Sequence, residues 1–142
     1  MKDGFDLSEL DELIKDLQLI EKNRPKAAKS FIRKEGTKLK NKTLRKAKSI
    51  VKKQESGNYF DGIKRGEPYL YKGHILSIRA FNSAPHAHLL EEGHLLISEN
   101  GKEIGYVKGR HIFEQARNEF QPYYHKHCKK FVDEVFADGG WR

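Results

Sequence analysis

The sequence predicts an α+β fold: an antiparallel β-sheet of about four strands, packed by a long basic N-terminal helix and an amphipathic C-terminal helix. Three observations lead there. Apolar residues recur every three or four positions at both ends of the chain, the period of one helix face. The middle changes to short aromatic and β-branched runs, some alternating with polar residues. Between two of those runs lies Asn100-Gly101, a strong hairpin signal. A chain of 142 residues fits one domain. It divides into an acidic helix over 1–22, a basic helix over 23–55, a β-rich region with a short helix over 59–108 and a C-terminal helix over 111–136.

The first helix is expected over Phe5 to Glu21, where Leu7, Leu10, Ile14 and Leu17 make one face with Leu13 and Ile20 beside them. Asp6 and Glu9 suit a capping box, and Phe5 and Leu10 the hydrophobic staple around it. Asn23-Arg24-Pro25 interrupts the pattern, and Pro25 fits the first turn of a second helix, where its missing N–H costs nothing. That helix is expected to reach about Gln54. Its stripe is Ala28, Ile32, Gly36, Leu39, Thr43, Ala47 and Ile50, with Phe31, Leu44 and Val51 alongside. Gly36 weakens a helix, but it permits close approach of another element.

Ser56-Gly57-Asn58 ends the helical half. Tyr59 to Arg65 and Tyr69 to Tyr71 read as short strands around Gly66 and Pro68, and Lys72-Gly73 turns the chain into a strand from His74 to Phe81. Ala84 to Gly93 reads as a short helix with Gly93 as its C-cap. Leu95 to Ser98 and Glu103 to Val107 flank the hairpin turn. From His111 to Phe136 a helical stripe returns through Phe113, Ala116, Phe120, Tyr123, His127, Phe131 and Val135. Pro122 predicts a kink or a break within it. Asp138-Gly139-Gly140 frays the end and leaves Trp141 in a mobile tail unless a neighbour binds it.

Apolar residues make up 37% of the chain and charged ones 34%, so much of the surface is charged or the core is shared with partners. The net charge of +8 is polarised. Residues 21–54 carry fourteen Lys or Arg against Glu21 and Glu35, a local +12, while the remainder is −4. Such polarity suits a surface that meets nucleic acid or an acidic protein face; a solvated helix face is the plainer alternative. Cys128 is the single cysteine, which excludes an intramolecular disulfide. The opening MKDGFDLSEL has no apolar signal core, and no run of some eighteen apolar residues occurs. The chain is therefore expected to stay off membranes and in the compartment where it is made.

Signatures of chemistry are weak. His86, His88 and His94 form one histidine group and His125, His127 and Cys128 another. Zinc needs about four N or S ligands on a tetrahedron, whereas residues two apart on a helix point to different faces. Glu91-Glu92 beside His88 and His94 could do acid–base work if buried together, but a surface or interface ion pair explains them more simply. The sequence has no phosphate-binding glycine loop and no nucleophile elbow. Cys128 lies on a core helix and behaves as a small hydrophobe. No catalytic residue, metal or cofactor is expected. The basic helix could follow phosphates without reading sequence, since Phe31 alone interleaves an aromatic ring with its Lys and Arg.

The run APHAHLLEEGH, then a hairpin, then GRHIFEQARNEFQPYYHK, resembles the phage tail-completion or head–tail joining (neck) proteins related to minor tail protein Z. The matching positions are His86, Ala87, His88, Leu89, Leu90, Glu91 or Glu92, Gly93 and His94, then Gly109, Arg110, His111, Ile112 and Phe113, and the order of elements agrees over roughly residues 24–136. The resemblance implies a non-enzymatic virion protein of the neck, assembled in the host cytoplasm as a ring, typically a homohexamer. It would complete or terminate the tail and help join it to the head. Its implied partners are further copies of itself, the tail tube or major tail protein, a head-closure or connector protein, and DNA passing through the channel. Candidate interface residues are His86, His88, Glu91, Glu92, His94, Arg110 and Trp141; Lys38, Lys42, Arg45, Lys46, Lys52 and Lys53 are candidates for contact with DNA or an acidic partner. The alternative is a small basic protein that binds or cleaves nucleic acid.

Overall fold

A computed structural model of the chain describes residues 7–51, 59–73 and 75–139. The order is α1 (Leu7–Asn23), α2 (Pro25–Ile50), β1 (Ile63–Arg65), β2 (Tyr69–Tyr71), β3 (Ile75–Ser77), β4 (Ala80–Asn82), α3 (Ala87–Glu92), β5 (Gly93–Ile97), β6 (Glu103–Lys108) and α4 (Ile112–Gly139). The fold is α+β, with long helices at both ends and small antiparallel sheets between them. The capping residues Asp6 and Phe5 lie outside the described residues, as do Lys52, Lys53, the Ser56-Gly57-Asn58 breaker and Trp141.

Helices α1, α2 and α4 pack against one another. Pro25 takes the first turn of α2, as its fixed φ and missing donor favour. Along α2 and α4 the partners run in opposite order: Glu35 meets His127, Lys46 meets Glu119, and Ala47 shares a cluster with Ile112. The two helices are therefore antiparallel. They thread two apolar clusters. One joins Leu13 and Ile20 of α1 to Ala28, Cys128, Val132 and Phe136. The other gathers Ala47, Val51, Tyr59, Ile63 and Ile112.

The expected stripe of α2 is inside, and Glu35 is buried with it. Gly36 matters for space: a Cβ there would come within 2.6 Å of Ile78 Cδ1, so the strand region rests directly on the helix backbone. In α4 the buried line runs through Ile112, Ala116, Cys128 and Val132, with Tyr124 half-buried on it. Tyr123, expected on the apolar stripe, faces solvent instead; steps of four carry the buried line through Tyr124. The helix continues through Pro122 without a break. The carbonyl that loses its donor belongs to Asn118, an exposed residue. None of the described helices is long and apolar enough to cross a membrane.

The β region differs from a single four-stranded sheet. It holds three two-stranded antiparallel ladders, β1–β4, β2–β3 and β5–β6. The first two are halves of one long hairpin. Ile63 pairs with Asn82 and Arg65 with Ala80, but Tyr69 pairs with Ser77, one residue out of that register. Three residues, Gly66-Glu67-Pro68, face two, Ile78-Arg79, so the expected strand from His74 to Phe81 is split. Pro68 has no N–H for the ladder, and the Gly66 amide donates to the Arg79 carbonyl across the gap. Tyr59–Asp61 form a helical turn rather than the start of a strand, because Tyr59 is drawn into the second cluster. The β5–β6 hairpin turns at Asn100-Gly101 as expected, with Gly101 at φ 80°.

Candidate functional site

The APHAHLLEEGH segment and the Gly109–Phe113 segment meet in space and form a junction between the long helices. Helix α3 ends where the Gly93 amide donates to the Leu89 carbonyl at φ 86°, a left-handed stop that favours glycine. Its last turn then receives the chain returning from β6: the Arg110 amide donates to the Leu90 carbonyl at 2.7 Å and the His111 amide to the Glu91 carbonyl at 3.1 Å.

From this junction two side chains reach helix ends. The Glu91 carboxylate accepts from the Phe113 amide at 3.0 Å and the Glu114 amide at 3.1 Å, two first-turn donors of α4 that no intrahelical carbonyl can satisfy. Its negative charge also sits where the helix dipole is positive. Arg110 Nη1 donates to the Ile50 carbonyl at 3.1 Å, at the negative end of α2. Glu91 and Arg110, both interface candidates from the sequence, thus fasten the helices of their own chain. The neighbouring glutamates differ: Glu91 turns inward and Glu92 is exposed, its backbone carbonyl accepting from the Tyr106 hydroxyl at 3.0 Å.

The histidines divide similarly. His86 and His88 are exposed, with ring centroids 6.4 Å apart. His86 holds φ 63°, unusual for a residue with a side chain. His94 is half-buried on β5, and its Nδ1 is enclosed with no hydrogen-bond partner among the described residues. His127 packs beside Phe120 and places Nδ1 2.7 Å from the buried Glu35 carboxylate. Among the described residues, no three of His, Cys, Asp and Glu lie close enough together to hold a metal ion. Cys128 is buried, and burial pushes its thiol up to about 12 despite a hydrogen bond with Tyr124.

The basic face of α2 is partly engaged within the chain. Glu119 of α4 pairs with Lys46 at 2.6 Å and Lys42 at 3.4 Å, and these lysines hold its carboxyl below the usual range. Lys38 pairs with Glu35 at 3.2 Å, although it is itself exposed. Arg45 remains exposed, with Lys26, Lys29, Lys34 and Lys48.

The residues that sequence reasoning missed are apolar. In the β5–β6 ribbon Leu95, Leu96, Ile97, Ile104, Tyr106 and Val107 are all exposed, Ile104 at 67%. Alternation puts Leu95 and its cross-strand partner Tyr106 on one face and Leu96 on the other, so neither face is covered by the described residues. Tyr69, Leu70, Tyr71 and Ile75 at the tip of the β2–β3 hairpin are exposed too. The available signal was that Leu95-Leu96-Ile97 is a continuous apolar run, where a half-buried strand would alternate. No family model matches the sequence, and no curated protein or solved structure matches it either.

Proposed function

We propose that this chain is a structural protein of a phage neck, which assembles with copies of itself as a ring, completes or terminates the tail and helps join it to the head connector. One observation carries the assembly part: the β5–β6 ribbon exposes apolar side chains on both faces. A lone two-stranded ribbon is marginal in water. Exposed apolar area beyond a few hundred Å² marks an interaction surface. A second copy is the occupant that fits, because the outer edges of the ribbon also carry unpaired backbone groups that strand addition would satisfy. Head-to-tail repetition of one such contact closes into a ring. The resemblance of APHAHLLEEGH and GRHIF to neck proteins supplies the viral context and the sixfold expectation. In this reading the protein acts by surface complementarity, not catalysis. Its partners are the tail tube or major tail protein, the head-closure or connector protein and DNA in the channel, and its place is the virion neck.

Deleting the gene from its phage is expected to leave complete heads and separate tails; joined virions would overturn the proposal. The second reading, a basic nucleic-acid-binding or -cleaving protein, is favoured by the exposed Lys26, Lys29, Lys34, Arg45 and Lys48 of α2. It expects the isolated protein to cut DNA or RNA and to lose that activity in His88→Ala; the neck reading expects no cleavage.

A further inference from the structure

The outward face of α2 carries a hollow of about 420 Å³, lined by Ser30, Arg33, Lys34, Thr37 and Lys38 of the helix and by Arg65 of β1. All six side chains carry a hydrogen-bond donor, four of them are cations and none is an acid. Solvent reaches the hollow: Ser30, Arg33, Lys34 and Lys38 are exposed, and Thr37 and Arg65 are half-buried. Part of this set is engaged within the chain. Glu67 at the rim accepts from Arg33 at 3.4 Å and Arg65 at 2.9 Å, and the buried Glu35 accepts from Lys38 at 3.2 Å. The Thr37 hydroxyl donates to the Arg33 carbonyl at 3.1 Å. Four cations against two carboxylates still leave the hollow at +2. Arg65 is fixed in its wall by Nη1, which donates to the Arg33 carbonyl at 3.3 Å.

The hollow continues into a longer line. Steps of three and four from Ser30 pass through Lys34, Lys38, Asn41, Arg45 and Lys48, about 27 Å of helix. All six positions are exposed. Lys34, Arg45 and Lys48 make no ion pair among the described residues. Glu35, the only acid of α2, is buried on the opposite face. Glu119 lies along one flank, where Lys42 and Lys46 neutralise it, and Glu67 lies along the other. The line between them is therefore positive and free of carboxylates. Lysine and arginine mixed with serine, threonine and asparagine is the donor set that holds phosphate and sugar without reading bases. A lone phosphate would use the hollow and leave the rest of the line without a partner, whereas a strand with regular negative charge uses both. We infer that a nucleic-acid backbone lies along this line of α2, with one phosphate seated in the hollow among Ser30, Lys34 and Arg65. The inference rests on the neck reading for its DNA and gives that DNA a surface, with Ser30, Lys34 and Arg65 as contacts in place of Lys42 and Lys46.

Fluorescence anisotropy of the full chain with two labelled duplexes of unrelated sequence, between about 50 and 200 mM salt, tests this. Both duplexes should bind alike, and log K should fall with log salt at a slope of about −3, as three or four phosphate contacts require. Ser30→Glu places a carboxylate at the hollow and should weaken binding at least tenfold. Gln121→Glu makes the same change of charge at an exposed position on α4 and should weaken it less than threefold. Lys34→Ala and Arg45→Ala should each flatten the slope by about 1, and Lys42→Ala should leave it unchanged; these serve if Ser30→Glu does not fold. No binding at about 50 mM salt, or equal losses in Ser30→Glu and Gln121→Glu, would overturn the inference. Displacement of the duplex by polyglutamate as readily as by unlabelled duplex would overturn it in favour of an acidic protein, and displacement by inorganic phosphate at constant ionic strength in favour of a small phosphate ester. Gene deletion that separates heads from tails, together with no duplex binding, would remove this surface and leave the neck reading standing; duplex binding with joined virions would do the reverse.

Discussion

The Glu91 carboxylate is the sharpest place to test how this chain is held together. It lies on α3, yet it caps α4 by accepting from the Phe113 and Glu114 amides at 3.0 and 3.1 Å. Glu91→Ala removes both bonds and leaves two α4 donors to find water. Replacing an N-cap acceptor by alanine costs about 1 kcal/mol, and losing the charge at the helix start adds about 0.5 kcal/mol. The second bond to an ionised acceptor brings the total to about 2 kcal/mol, with the site only half-buried. Glu91→Gln keeps one acceptor oxygen and should cost about half as much. Glu92→Ala, at the exposed neighbour, should stay within about 0.5 kcal/mol of the parent. Urea unfolding at one fixed protein concentration measures all three. Hydrogen exchange then locates the effect: the Phe113 and Glu114 amides should exchange faster in Glu91→Ala. Equal destabilisation by Glu91→Ala and Glu92→Ala, or unchanged protection of those two amides, would refute the cap.

Three further outcomes follow from the helix packing. Glu35 is 3% exposed and bonds His127 and Lys38, so Glu35→Ala should cost on the order of 3 kcal/mol in urea unfolding, against under 1 kcal/mol for the exposed Lys38→Ala. Gly36→Ala gains about 1 kcal/mol of helix propensity but forces a Cβ against Ile78 Cδ1, an overpacking of about 1–3 kcal/mol; the melting temperature should fall, and a rise would show that the strands do not press on α2. The Cys128 thiol ordinarily ionises near 9.0 and the Tyr59 hydroxyl near 10.0, whereas burial raises both to about 12 in the folded chain. The unfolded chain therefore loses these protons first, so stability should decline as pH rises from about 9 to 12, and a thiol reagent at pH 8 should label Cys128 only after unfolding.

Much of the fold was legible because it rests on local chemistry. The helical periods, Pro25 at the start of α2, Gly93 at the end of α3 and the Asn100-Gly101 turn each depend on a few neighbouring residues. Gly36 was legible as a point of close approach, although not which side chain approaches it. What escaped depends on distant residues. The one-residue register difference that divides the first hairpin is a property of the two strands together, three residues facing two, and neither strand shows it alone. Glu35 looked like one of two acids on a basic helix, yet it lies three residues after Ile32 and four before Leu39, on the apolar stripe. His127 arriving from α4, together with Lys38 one turn along α2, makes a carboxylate tolerable there. Glu91 and Glu92 looked equivalent in the sequence; only the arrival of the α4 amides at Glu91 sets the two apart. The exposed ribbon was read as strand but not as surface, because period alone says which residues share a face and not whether anything covers it.

Whether the apolar ribbon is covered by another copy is the central claim, and the solution mass of the full chain tests it most directly. Sedimentation equilibrium at micromolar concentrations should give a closed oligomer, six copies by the resemblance to neck proteins. Ile104→Lys with Tyr106→Lys, at ribbon positions 67% and 59% exposed, should reduce it to monomer with the helical content retained. Each substitution removes about 1 kcal/mol of apolar burial per interface and introduces a charge there. A parent chain that stays monomeric at those concentrations, or an oligomer indifferent to both substitutions, would contradict the account.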